Sequence, residues 1–320
     1  MTPNSKPLNF ESIAYSGRAP GVRLIVTGAV HGNETCGTQG IRRVVAEIQS
    51  GALAIERGQV TFVPICNPLA YAKGERMGDR NLNRNLAPTS TPKDFEDHVA
   101  NWLCPLMASH EALLDLHSTR GKTEAFALVG PHDNTGIIEP FKHAKAERDL
   151  AKRLGVKRFV EGWLDTYARG VARRRSNAAA NPLAADAIYG VGTTEYMRSK
   201  GGYSMTLECG QHEDPQSPEV AYRAIRNALA HLRITADPAP PAVEKYEALR
   251  MHEVVDRDHE DDRFSRPWAS FDALSPGDLI ATRRDGTEIR APSQGRILFP
   301  DVSAKPGHEW FYLAETIDSI

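Results

Sequence analysis

The stretch VRLIVTGAVHGNE, residues 22–34, decides the fold. Val22 to Val26 is a short apolar run rich in β-branched residues and closed by Gly28, the pattern of a buried strand. Beyond it, Ile41, Val44, Val45 and Ile48 recur at the spacing of one helical face, and Gly51 stands where a helix stops. A strand feeding an amphipathic helix is expected. His31 and Glu34 fall between the two, at the carboxyl end of the strand, where ligands collect in open α/β sheets.

The same alternation continues outward. Strand-like runs follow at Val60–Ile65, Ala112–His117, Ala125–Val129 and Ser204–Glu208. Between them, Phe95, Val99, Trp102, Leu103 and Leu106 form a second helical stripe, and Ala221, Ile225, Ala228, Leu229 and Leu232 a third. Ser217, Pro218 and Glu219 read as the cap and first turn of that third helix. Strands alternating with helices predict an α/β domain over residues 1–237, its mixed sheet flanked by helices. A proline-rich linker at 238–245 follows. Residues 246–320 carry glycine-punctuated short runs (LIATRR, EIRAP, RILFP, WFYLAE) and predict a smaller β-rich C-terminal domain.

Composition narrows the function classes. The chain has 320 residues, 41% hydrophobic, enough for two domains without disulfide staples. Its 39 Lys and Arg against 41 Asp and Glu give a net charge of -2, so there is no global field for nucleic acid or an anionic membrane. No run approaches the roughly 18 apolar residues of a membrane span, and residues 1–17 lack a signal-peptide core. Four cysteines without a CxxC pair fit reduced thiols, and a cytoplasmic protein is expected. A homo-oligomer is compatible with all of this.

Chemistry concentrates at strand ends. His31 and Glu34 could converge on one ion, and His117, closing ALLDLH, would complete the His₂Glu set of a catalytic zinc site with a position open for water. Asp115, two residues earlier on the same face, is placed to hold a ligand imidazole by its second nitrogen. The polar segment Asn67–Asn85 carries Arg76, Arg80 and Arg84 around Asn81 and Asn83. Guanidiniums there suit a carboxylate or a developing oxyanion, Arg80 reading as an ordinary surface arginine. Glu208 ends SMTLE, where a carboxylate is costly to bury unless it is used, and it suits a general base.

The runs GAVHGNE, NP, NLNR, DLHS and LECG, in this order, resemble the succinylglutamate desuccinylase/aspartoacylase family, a branch of the zinc carboxypeptidase-like superfamily. The resemblance spans about residues 20 to 235. It implies a carboxypeptidase-like fold and hydrolysis of a small-molecule N-acyl amino acid at one zinc ion per chain. It further implies His31, Glu34 and His117 as zinc ligands, Glu208 as base and Asp115 as the carboxylate behind His117. Arg76 would polarise the carbonyl, Asn83 and Arg84 would bind the α-carboxylate, and Arg198 would take a side-chain carboxylate. Asn81 replaces the family's usual Asp, and Thr194 stands where aspartoacylase has a substrate-binding Tyr. Tyr196 and Tyr312 are both candidates for the family's tyrosine contacts.

Cys36, Cys66 and Cys209 lie close to motif positions but read as small packing residues. Arg169, Arg173, Arg174 and Arg175 read as a solvated helix face. His110, His132, His212 and the acidic run 256–262 carry no argument of their own. Two rival functions stay open: a zinc carboxypeptidase acting on short peptides, and a non-catalytic metal- or ligand-binding relative.

Overall fold

A computed structural model describes residues 8–176 and 186–320. The first quoted stretch folds as expected: β1 (Ile13–Ser16) leads into β2 (Ala19–Gly28), which runs to the turn that carries His31 and Glu34 and then into α1 (Cys36–Gln49). The chain continues through β3 (Arg57–Val63), α2 (Pro68–Lys73), α3 (Phe95–Ala108), β4 (Ala112–Thr119) and β5 (Phe126–Leu128). Next come α4 (Ala144–Ala151), β6 (Arg158–Glu161), α5 (Trp163–Ser176), α6 (Thr193–Ser199), β7 (Tyr203–Gln211) and α7 (Ser217–His231). Strands β2, β3, β4 and β7 are mutually parallel neighbours, whereas β5 inserts antiparallel to β7 and parallel to β6. The sheet is therefore mixed.

Successive residues of β2 face opposite sides of the sheet. Leu24 and Val26 pack with Ile41, Val44, Ile225 and Leu229 on the face covered by α1 and α7. Ile25 packs with Val99, Leu103, Met107 and Met197 on the face covered by α3 and α6. Burial on both faces explains why the strand is a continuous apolar run. One cap differs from expectation: Gln216, not Ser217, flanks α7, and the Ser217 hydroxyl donates to the Gln211 carbonyl at 2.9 Å.

Beyond the proline-rich stretch, β8 (Glu247–Asp256) pairs parallel with β6, and β14 (Glu309–Ile317) pairs antiparallel with β8. The main sheet thus continues through the C-terminal strands, closing with β13 (Gly295–Leu298) and β10 (Ala273–Leu274). A separate three-stranded sheet holds β9 (Arg263–Phe264), β11 (Leu279–Thr282) and β12 (Glu288–Arg290). Ile280, Ile297, Trp310 and Phe311 share a core there. Among the described residues, no helix is long and apolar enough to cross a membrane.

Candidate functional site

The turn after β2 is shaped by contact. A Cβ on Gly32 would lie 2.0 Å from the Ala70 carbonyl carbon, so only glycine lets α2 approach and point His31 inward. His31 Nδ1 lies 2.8 Å from Glu34 Oε1, and His117 Nδ1 lies 2.8 Å from Glu34 Oε2. All three side chains are buried, and one ligand atom from each lies within 4.8 Å of the others. Two ring nitrogens and a carboxylate so arranged could hold a metal ion. No other such group of His, Cys, Asp and Glu is found among the described residues.

Parallel pairing of β4 with β2 and β7 brings the remaining groups to the same edge. Asp115 Oδ2 accepts from His117 Nε2 at 2.8 Å, and its other oxygen accepts from the Thr27 hydroxyl at 2.6 Å. Thr193, opening α6, donates its hydroxyl to Asp115 as well. Burial by itself would lower the pKa of His117, but Asp115 and Glu34 together raise it well above the ordinary value. Burial pushes Glu34 up, and the two imidazoles outweigh it, holding its carboxyl well below the usual range. His31 goes the other way, down to about 4, through burial and then the charge of Arg76.

Glu208 is the register partner of His117 on β7, one strand spacing away, roughly 4.8 Å. Its Oε2 is buried without a hydrogen-bond partner. Burial, reinforced by the charge of Glu34, raises its pKa to about 7 against the pull of His117 and Arg76.

The arginine segment is built around a carboxylate that its sequence position did not single out. Glu96, in the first turn of α3, is fully buried and accepts from Asn67 Nδ2 at 2.8 Å, from Gly78 N at 3.0 Å and from Arg80 N at 3.1 Å. In sequence it is simply an acid at a helix start. Arg80, expected to be an ordinary surface arginine, is instead part-buried and held between Asp94 and Asp97, each at 2.9 Å. Arg76 reaches the cluster, with Nη1 2.9 Å from Glu34 Oε1, and keeps 44% of its side chain exposed. Asn83 Oδ1 accepts from Thr193 N at 2.9 Å, one step from Asp115. Arg84 lies over the Trp163 ring at 4.7 Å, with Glu309 3.7 Å from its Nη2. Tyr312 stands beside it, 5.4 Å from Trp163 between ring centroids, its buried hydroxyl unpartnered. Tyr196 instead packs in the core with Val99 and Leu103.

Arg198 is set apart from this group. It is buried among Glu139 (3.1 Å), Glu147 (3.3 Å) and Glu195 (3.6 Å), so its charge is already matched. Glu147 also accepts from Ser204 N at 2.9 Å, and Ser204 lies four residues before Glu208, about 13 Å along an extended strand. The expected substrate contact is replaced by an internal carboxylate cage, in which burial, and then the charges of Glu195 and Glu147, raise Glu139 to about 7 against the pull of Arg198. Arg174, expected on a solvated face, is likewise buried and bonded to Asp256 at 2.7 Å and 2.9 Å.

Two neighbours of the cluster were given no role by the sequence, although Asn81 stood out there as a replacement for the family's usual Asp. Asn81 Oδ1 lies 3.1 Å from His31 Nε2, and His212 Nδ1 lies 2.9 Å from the Ser118 hydroxyl, whose own backbone N–H donates to Glu34 Oε2 at 3.2 Å. Cys36 donates to the His117 carbonyl at 3.3 Å and packs with Cys209, and all four cysteines are free.

A helix-flanked mixed α/β sheet with a buried His–Glu–His group at the carboxyl ends of its strands defines the class of molecule. The sequence matches the succinylglutamate desuccinylase/aspartoacylase catalytic domain over residues 20–137. It is 24% identical to the succinylglutamate desuccinylase of Pseudomonas aeruginosa over 93% of this chain and 85% of that one. It is 36% identical to the rat N-acyl-aromatic-L-amino acid amidohydrolase (carboxylate-forming), but over only 34% of this chain and 37% of that enzyme. Among solved structures, a succinylglutamate desuccinylase/aspartoacylase from Rhodobacter sphaeroides has the same fold, with TM-score 0.71 at 14% identity, covering 97% of this chain and 90% of that one. The product-bound ectoine utilization protein EutE (DoeB) from Ruegeria pomeroyi gives TM-score 0.68 at 19% identity over 98% of both chains. The chain is thus similar to the succinylglutamate desuccinylase/aspartoacylase family, in sequence over the catalytic-domain match at residues 20–137 and in fold along nearly its whole length.

Proposed function

We propose that the chain is a zinc-dependent amidohydrolase that cleaves the amide bond of a small N-acyl amino acid. The observation that carries this is the pairing of Glu208 with His117 beside the buried His31–Glu34–His117 group. Those three residues would hold one zinc ion, whose chemistry is Lewis acidity toward water and the scissile carbonyl.

The protein's own groups then divide the work. Glu208 accepts the proton of the attacking water and returns it to the departing nitrogen. A pKa near 7 serves both halves of that exchange. Arg76, tethered to Glu34 and half exposed, donates to the oxyanion as the carbonyl becomes tetrahedral. Asn83 and Arg84 hold the substrate carboxylate, with Tyr312 of the C-terminal segment closing the wall beside Arg84. Asp115 keeps His117 in its ring orientation. In this reading residues 1–237 carry the chemistry, 238–245 link, and 246–320 restrict the mouth to small molecules in the cytoplasm.

The test is a hydrolysis screen of the zinc-loaded protein against N-acetyl, N-succinyl and N-formyl amino acids and short peptides. Release of amine from N-acyl amino acids, abolished by chelation, is expected. Faster cleavage of peptides would establish the carboxypeptidase alternative, and no turnover of either would leave a binding protein.

A further inference from the structure

We propose that Asn81 is a second positioning residue of the metal site beside Asp115, fixing with a neutral amide the ring proton of His31 that leaves Nδ1 free for the metal. The inference rests on the metal-site reading above.

The hydrogen atoms follow from bonding rules. Asn81 Oδ1 lies 2.9 Å from the backbone nitrogen of Asn83, and a backbone N–H can only donate. The amide atom in that position is therefore oxygen. The same oxygen lies 3.1 Å from His31 Nε2 and can only accept, so Nε2 carries the hydrogen. A neutral imidazole has one N–H, and the lone pair of His31 accordingly sits on Nδ1, the atom aimed at Glu34.

His117 is held by the same device with a different charge. Its Nε2 donates to the Asp115 carboxylate at 2.8 Å, shorter than the 3.1 Å contact to Asn81. Hydrogen bonds to ionised acceptors are the stronger ones, and a carboxylate behind a ligand imidazole raises its basicity. The two histidines are thus unequal ligands, with His31 the more weakly backed. A carboxylate at position 81 would add a fourth acid to Glu34, Asp115 and Glu208, with Arg76 the cation bonded into that group. The amide keeps the orientation and omits that charge.

The experiment compares full-length wild type, Asn81→Asp and Asn81→Ala, each stripped by chelation and checked for folding by circular dichroism. Zinc dissociation constants are measured by competition with a chelating dye, and cobalt-loaded proteins are compared by absorption spectrum. Asn81→Ala should bind zinc about 10- to 100-fold more weakly and change the cobalt spectrum. Asn81→Asp keeps both hydrogen bonds and should bind at least as tightly as wild type. If Asn81→Ala stays within twofold of wild type, or Asn81→Asp binds more weakly than wild type, the proposal is overturned. Should the aspartate variant alone fold, its affinity decides. Wild type that takes up no zinc would overturn the metal reading itself, a result distinct from equal affinities across the set.

Discussion

Replacing Glu208 by glutamine should make the metal-free protein less sensitive to alkali while destroying its activity. The carboxyl group has its pKa raised from 4.5 to about 7, chiefly by burial, and one oxygen has no hydrogen-bond partner. Below pH 4.5 the group is protonated in both folded and unfolded chains, and it costs nothing. Between there and pH 7 the unfolded chain releases the proton while the native state keeps it, so stability falls as pH rises. Above pH 7 the loss is complete, at roughly 3 kcal/mol for a shift of this size. Glutamine does not titrate. Its buried amide carries a fixed cost of about 1 kcal/mol, but that cost is the same at every pH. The difference in unfolding free energy between variant and wild type should therefore move by about 3 kcal/mol in the variant's favour from pH 4 to pH 8. Urea unfolding of chelator-treated protein at a series of pH values measures it. Zinc affinity should be retained and turnover should fall by roughly 10²- to 10⁴-fold. Parallel stability profiles, together with undiminished turnover, would refute both the buried-carboxylate argument and the role given to Glu208.

Arg84→Ala should raise KM by roughly 10- to 100-fold with a smaller effect on kcat, because it removes charged hydrogen bonds to the substrate carboxylate. Steady-state kinetics on an accepted N-acyl amino acid checks it, and an unchanged KM would remove Arg84 from the binding site. Arg198→Met should act on stability instead, costing about 3–5 kcal/mol by stranding Glu139, Glu147 and Glu195. The deficit should grow as pH rises through 7, where Glu139 ionises. Denaturation at pH 6 and pH 8 measures this, and a large rise in KM without loss of stability would return Arg198 to the substrate.

Much of the site was legible because its signals are local. The run 22–34 set strand, turn and helix, and with them the positions of His31 and Glu34 at a strand end. Asp115 and His117 share a face because strand side chains alternate, and His117 does sit 2.8 Å from Asp115. The harder cases share one property. Glu96, Asn81 and His212 owe their positions to partners far along the chain, and no spacing rule connects Glu96 to Gly78 N or Asn81 to His31. Arg198 misled for the same reason: its distance in sequence from Glu208 is short, yet a helix and a tight turn carry it back toward the start of β7.

The sequence by itself determined the period of each element, the apolar faces and the kinds of donor available at each strand end, since these depend on residues a few positions apart. Tertiary structure alone decided which donors meet. Parallel pairing of β4 with β2 and β7 brought His117 to Glu34 and Glu208 to His117, and the buried carboxylate of Glu96 set the arc of the arginine segment. A separate parallel pairing, of β6 with β8, took the C-terminal strands into the main sheet. Burial then fixed the charges. Glu34 and Glu208 are the same chemical group in sequence, and only the neighbours gathered by folding drive one well below the usual pKa and the other up to about 7.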